Sequence, residues 1–454
     1  MKHIIKYSFI SFLIWVNSLS LTGQTLSYEQ YKLKNGLQVT LIDYGTVDAT
    51  TIRMYVNVGK KCETPAYQGI ANFTAQALTF GNAKYDRIKL EDMLYPMSSG
   101  ISASANDNYT AISATFLNRD LDKGMEIFAA TMRQPTFPEV EVKQQIAEFM
   151  QYNNPRKMDI TELASRFSDY FVYGLMNPLG RNTYAAQVGK LTFKNIKEFY
   201  DFNYTPKNTR IVIAGKIDHA KMKQLIETYF NNWETVYGEN NQVSLEMPSF
   251  KGKEYGFVNR DEATQCCLFW AKKAPLTGDK DVLPFRVASL VFNRKLFEEV
   301  REKLGKTYGI YMGYNERANN GVYTVSTQTR SEQMTTTMEA FDKTIADFCS
   351  KGITENELKR TKTKLKNEYL AVNNPASIIE YYNPLVFPDI KKRMNSFAEI
   401  DALTLETVNK VIKKYYTPDS YKLIIAGSEK DLSTQLAALK GLQKFANTII
   451  EADQ

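Results

Sequence analysis

The chain has 454 residues, 43% apolar and 24% charged, which excludes one ordinary domain and allows large cores in two or more. Its net charge of +7 is spread over intermingled Lys/Arg and Asp/Glu with no basic stripe of interleaved aromatics, so nucleic acid is excluded as a partner. Four cysteines, Cys62, Cys266, Cys267 and Cys349, are too few and too scattered for a disulfide framework.

Lys2, His3 and Lys6 precede an apolar run from Tyr7 to Val16, followed by small and polar residues from Asn17 to Gln24. Residues 1–24 therefore read as a secretory signal peptide, cleaved between Ser20 and Gln24. The run is far shorter than the roughly 20 residues of a membrane-spanning helix, and no later stretch is as long and uncharged. An exported protein, periplasmic or extracellular and without a membrane anchor, is expected.

The mature chain repeats itself. Leu191-Thr192-Phe193, Tyr204-Thr205-Pro206 and Ile211-Val212-Ile213-Ala214-Gly215 return 212 residues later as Leu403-Thr404-Leu405, Tyr416-Thr417-Pro418 and Leu423-Ile424-Ile425-Ala426-Gly427. Each copy predicts a helix that ends before Thr-Pro, then a buried strand closing at Gly. The helix stripe Leu121, Met125, Phe128 and Met132 is matched by Met334, Met338, Phe341 and Ile345, each behind a strand-like segment, Tyr109 to Phe116 and Val322 to Thr329. Asn153-Asn154-Pro155 is echoed by Asn373-Asn374-Pro375. This is a duplicated α+β unit of roughly 210 residues. The predicted division is an N-terminal half over 25–235, a polar linker over 236–250 and a C-terminal half over 251–454. Each half is expected to be a mixed, mainly antiparallel sheet with helices packed on one face.

No self-contained catalytic set emerges. A Gly-x-Ser-x-Gly elbow and Gly-rich phosphate loops are absent, and His3 and His219 are the only histidines. His219 follows Asp218 at a helix start and reads as a surface residue. In the second half, Leu296, Phe297, Val300 and Leu304 have helical spacing, Gly305 stands where a left-handed residue would end the helix, and Tyr308 and Ile310 alternate as in a strand. Arg301 and Tyr308 flank that turn, where a fixed cation and a phenol hydroxyl are able to hold a peptide carbonyl or a developing oxyanion. The plainer reading is an Arg favoured at a helix C-terminus and a Tyr half buried at a strand start.

Lys34-Asn35-Gly36-Leu37, Val58-Gly59 with Glu63, Gly69-Ile70-Ala71-Asn72-Phe73-Thr74-Ala75-Gln76-Ala77-Leu78, the segment Gly100 to Ala105 with Asp107, Pro135-Thr136-Phe137 and Tyr204-Thr205-Pro206 resemble the insulinase/pitrilysin family of zinc metallopeptidases, the inverzincins. That resemblance covers nearly the whole mature chain and implies a clamshell of two homologous halves. In active members the helix after Gly-Ile-Ala reads His-x-x-Glu-His, two zinc ligands and the Glu that activates water. Here those places hold Asn72, Ala75 and Gln76, neutral amides and a methyl group, and Glu148 lies roughly where the third ligand would fall. No metal site and no cofactor of its own are therefore expected. Some family members work as two chains, one with His-x-x-Glu-His and one without it that supplies an Arg and a Tyr to the partner's active site. Arg301, Gly305 and Tyr308 look like that second chain. The resemblance thus implies a non-catalytic, substrate-binding subunit of a secreted heteromeric zinc metallopeptidase acting on unstructured peptides, with zinc on a homologous partner. The alternative is a peptide- or protein-binding scaffold of the same fold without a peptidase partner.

Overall fold

A computed structural model describes residues 17–21, 24–152, 158–181, 188–234, 247–303, 305, 307–316, 319–385 and 396–445. The first sheet is built from β1 (Asn17–Leu21), β2 (Gln24–Lys32), β3 (Gln38–Asp43), β4 (Ala49–Val56), β5 (Ser102–Ala105), β6 (Thr110–Leu117) and β7 (Thr209–Gly215), in the order β1-β2-β3-β7-β4-β6-β5. The second comprises β8 (Lys253–Asn259), β9 (Gln265–Lys273), β10 (Thr307–Tyr314), β11 (Val322–Arg330), β12 (Tyr421–Gly427) and β13 (Gln443–Phe445), in the order β10-β11-β9-β12-β8-β13.

Without β1 each sheet has six strands in the same arrangement. In both, one inner pair is parallel, β3 with β7 and β8 with β12, and the strands on the other side are antiparallel. Only the outer seat is filled differently. β2 turns back on β3 through Asn35-Gly36, where Gly36 takes φ +100° and the Asn35 side chain accepts from Leu37 N–H, whereas β13 comes from the other end of the chain and lies parallel to β8. β1 is a backbone pairing of Asn17–Leu21 with β2, inside the stretch read as signal peptide; the apolar run before Asn17 lies outside the described residues.

The first half carries helices α1 (Ile70–Ala77), α2 (Arg87–Leu94), α3 (Leu121–Arg133), α4 (Glu139–Tyr152), α5 (Ile160–Tyr173), α6 (Phe193–Asn203) and α7 (His219–Phe230). The second carries α8 (Val282–Leu296), α9 (Met334–Lys351), α10 (Glu355–Leu370), α11 (Pro375–Tyr381), α12 (Ser396–Ala402), α13 (Leu405–Tyr415) and α14 (Glu429–Ala437). The repeat extends to the caps. Thr192 opens α6 by accepting from Asn195 N–H, and Thr404, 212 residues on, opens α13 by accepting from Thr407 N–H. Both predicted stripes, on α3 and α9, are fully or almost fully buried. Asn374 caps α11 in a capping box, while its counterpart Asn153-Asn154-Pro155 lies outside the described residues.

Because side chains alternate across a strand, each inner strand feeds two cores. On β7, Ile211 and Ile213 join the core made with the first half's own helices, whereas Val212 and Ala214 face residues of the second half such as Ile379 and Tyr382. On β12, Leu423 and Ile425 face their own helices, and Ile424 and Ala426 face Phe167 and Phe171 of α5. Adjacent Cys266 and Cys267 likewise point to opposite faces of β9, both buried as free thiols.

The face of each sheet away from its own helices is thus covered by a helix of the other half. α5 lies on β9 and β12, and α11 lies on β4 and β7. Ion pairing and hydrogen bonds lock the exchange: Arg53 Nη1 meets Glu380 Oε2 at 2.7 Å, Tyr55 Oη donates to the same oxygen at 3.2 Å, and Lys422 Nζ donates to Phe171 O at 2.9 Å. The ring of Phe445 on β13 packs against Phe167, Tyr170 and Phe171. Phe167 and Phe171, the two buried rings of this group, each contribute about 1.5–3 kcal/mol to the contact between the halves.

Candidate functional site

Helix α1 starts at a built N-terminus. Gly69 adopts φ +86°, and the buried Glu63 carboxylate receives Gly69 N–H at 2.8 Å and Ala71 N–H at 3.0 Å. Burial pushes the Glu63 carboxyl up to about 7, although those two N–H donors and the Lys60 and Arg181 charges oppose the shift. Arg181, itself buried, fixes the cap from behind by donating to Glu63 O, Leu175 O and Met176 O.

This cap presents Asn72 and Gln76 one turn apart, with Ala75 fully buried between them. Asn72 Oδ1 accepts from Ala105 N–H of edge strand β5 at 3.3 Å, and Gln76 Oε1 accepts from Gln145 Nε2 of α4. Zinc does not fit these residues. The two amide oxygens are the metal-donor atoms that Asn and Gln offer, and both are already used as hydrogen-bond acceptors; Ala75 has no proton acceptor. Among the described residues no three His, Cys, Asp or Glu side chains converge on one point. The residue that reaches α1 from α4 is Gln145. Glu148, which the resemblance puts roughly at the third-ligand place, is exposed and accepts from Gln144 Nε2 on its own helix, as a lone carboxylate on the solvated face of an amphipathic helix does. His219 opens α7 at the surface with Nδ1 3.3 Å from Glu29 Oε2, a carboxylate it shares with Lys223.

At the second candidate, α8 does not run on as an α-helix. Phe297–Lys303 winds as a π-helix, a wider turn often found where helices carry function, while Leu296 and Val300 of the expected stripe stay fully buried. Arg301 is exposed there, its guanidinium 5.6 Å from the centre of the Phe297 ring. Gly305 ends the segment with φ +57° and donates its N–H to Arg301 O at 3.1 Å, as a left-handed C-terminal residue should. Strand β10 then begins irregularly: Thr307 pairs with Thr329 and Ile310 with Thr327, so the strand carries one extra residue, a bulge, between them. Thr307 Oγ1 pins the bulge through Gln328 O and Gly309 O. The Tyr308 side chain is outside those described. Asn72, Ala75 and Gln76 thus stand beside the edge of the first sheet, and Arg301 and Tyr308 at the edge of the second. Sequence reasoning missed Gln145 and the cap made by Glu63 and Arg181, because neither has a local spacing signal.

Comparison with known proteins places this geometry. Residues 38–165 match the model described as Insulinase (Peptidase family M16), and residues 190–365 match the one described as Peptidase M16 inactive domain. A Bacillus subtilis protein named uncharacterized zinc protease YmxG is 23% identical over 88% of this chain and 98% of its own length. A Rickettsia felis uncharacterized zinc protease is 22% identical over 75% of this chain and 82% of its own. Among solved structures, a peptidase M16 inactive domain from Pseudomonas fluorescens superposes with a TM-score of 0.81 at 19% identity, covering 88% of this chain and 98% of that one. The periplasmic protease PqqL from Escherichia coli superposes with a TM-score of 0.76 at 13% identity over 93% of this chain, which spans about half of it (47%).

Proposed function

We propose, from the premise that this chain belongs to the insulinase (M16) family of peptidases, that it is a non-catalytic, substrate-binding subunit of a secreted heteromeric zinc peptidase acting on unstructured peptides. One observation carries the reading: α1 has no side chain able to hold zinc or take a proton from water, while an exposed Arg301 is kept on a specialised π-turn at a sheet edge. Arg301 supplies its guanidinium, and Tyr308 a hydroxyl, to a carbonyl held at a partner's metal. Zinc and the attacking water belong to that partner. Export by the basic and apolar leader from Lys2 to Gln24 is part of the proposal, and a periplasmic relative of the same fold supports it.

The test mixes the chain with a homologous chain bearing His-x-x-Glu-His and measures cleavage of an unstructured peptide. Activity is expected in the mixture alone, with a loss of about a hundredfold for Arg301→Ala and a similar order for Tyr308→Phe. Full activity of both variants sinks the assigned roles. Stoichiometric zinc and cleavage by the isolated chain would overturn the whole reading, and peptide binding without activity in any mixture would favour a scaffold.

A further inference from the structure

Between α8, α10 and the end of β10 lies a cavity of about 360 Å³. It occupies in the second half the place that the junction of α1, α4 and β5 occupies in the first. One bond marks the equivalence: Asn293 Oδ1 accepts from Met312 N–H of β10 at 2.8 Å, as Asn72 Oδ1 accepts from Ala105 N–H of β5. The first half closes its junction with the rings of Phe73 and Phe149, 5.2 Å apart. The second half leaves room, and its walls are Leu290, Met312 and Leu365.

Among the described residues the charges that line it are unequal: Glu316 and Glu368 stand against one cation, Arg286, which donates to Tyr369 Oη at 3.2 Å and stands 3.9 Å from Glu368. Burial works against the Arg286 charge, yet Tyr369, Glu316 and Glu368 hold its guanidinium above the ordinary value. Asn293 Nδ2 has no partner among the described residues and faces a space able to admit a peptide carbonyl.

We propose that this cavity binds a Lys or Arg side chain of an extended peptide, its charged head between Glu316 and Glu368 and its aliphatic stem along Leu290, Met312 and Leu365. The inference rests on the reading of the chain as a peptide binder but needs no zinc-bearing partner. A cavity of this size with apolar walls and a few placed polar groups is the usual form of a specific site.

The experiment compares two short, N-acetylated, C-amidated fluorescent peptides that differ only in one interior residue, arginine or neutral citrulline, by anisotropy titration of the full chain. The arginine peptide is expected to bind about tenfold tighter, the worth of one charge-assisted contact. Glu316→Gln with Glu368→Gln should erase that preference without moving the citrulline affinity, and raising the salt from low to high concentration should shrink it in the unsubstituted chain. Equal binding of the two peptides, no binding of either, or a preference that survives the double substitution or the salt overturns the proposal. A preference that appears only with an unblocked amino terminus also overturns it, since the site would then read the chain end. Arg301→Ala separates the two readings: it should weaken both peptides alike, and a failure to do so counts against the role of Arg301 while leaving the arginine preference in place.

Discussion

The two halves have the same strand order and repeat at the same spacing, yet they diverge at the same structural place, the helix that follows the second inner strand. In the first half this is α1, short and sealed: its amides are spent on Ala105 and Gln145, and Phe73 and Phe149 fill the space behind. In the second half it is α8, which runs on into a π-turn carrying Arg301 and leaves a charged cavity beside it. The lesson is that the side chains at this position differ between the halves while the strand arrangement around them stays the same. Both sheets are held by the alternation of strands into two cores, and none of those contacts involves the Asn72 or Gln76 side chains.

The largest expected change is therefore one that removes the contrast. Asn72→His and Gln76→His combined with Gln145→Glu place two imidazoles one turn apart and a carboxylate from α4 opposite them, enough protein ligands for zinc. Metal analysis after dialysis should find zinc near one equivalent in the triple variant and much less when Gln145 is retained. Equal zinc in both would show that Gln145 does not face the site. Adding Ala75→Glu should lower stability by several kcal/mol unless metal is present, because that position is fully buried.

The exchange of helices predicts that neither half unfolds alone. Phe167→Ala on α5 should cost about 3–5 kcal/mol and Ile379→Ala on α11 about 2–5 kcal/mol, each by truncating a side chain buried against the opposite sheet. Calorimetry should show one transition that moves as a whole in both variants. Two separated transitions, one of them unmoved, would mean that the halves are independent.

Glu63 gives a smaller effect confined to the first half. Its carboxyl titrates near 7 in the folded chain against 4.5 unfolded, so the folded state holds the proton more tightly between those values. That contribution is complete below about 4.5 and is lost as pH rises through 7, at most a few kcal/mol. Glu63→Gln leaves one of the Gly69 and Ala71 N–H groups without an acceptor, a cost of about 1–3 kcal/mol at pH 5. The gap to the unsubstituted chain should narrow at pH 8, read by denaturant titration at the two pH values. A gap independent of pH would show that the carboxyl titrates normally.

What was legible in advance follows from range along the chain. The strands from Tyr109 and Val322, the stripes on α3 and α9 and the Thr caps of α6 and α13 are set by residues a few positions apart, and the repeat made each visible twice. That Asn72, Ala75 and Gln76 stand one helical turn apart on one short helix was equally local. The crossing of α5 and α11 was not, because an apolar face does not say which sheet it covers. Gln145 was missed for the same reason. The helix end at Gly305 and the strand after it were legible, but the π-turn and the bulge between Thr307 and Ile310 were not, since each adds a residue within a segment whose composition suits the regular element.

The smallest predicted effect sharpens the comparison where the halves solve one problem differently. After the Thr-Pro turn of the first half, Thr209 Oγ1 donates to Thr205 O, and Val56 sits opposite Thr209 on β4. In the second half Tyr421 replaces Thr209, and a lysine on β9 takes over: Lys272, almost wholly buried, donates from Nζ to Thr417 O at 2.7 Å and also to Ser420 O. Burial lowers its ammonium to about 7, with Lys253 acting in the same sense and Asp342 opposing. The unfolded chain, titrating near 10.5, then binds more protons between pH 7 and 10.5, so stability rises with pH across that window and is lost as pH falls through it. Lys272→Met removes this slope, which cannot exceed about 1.4 kcal/mol per pH unit, and strips two carbonyls of a donor. The variant should be less stable by about 1–2 kcal/mol at pH 9, with the deficit shrinking toward pH 7 as the buried charge it lacks becomes a burden to the unsubstituted chain. A deficit that stays constant, or grows on acidification, would mean that Lys272 stays charged in place and that its two carbonyls, rather than its burial, govern the turn.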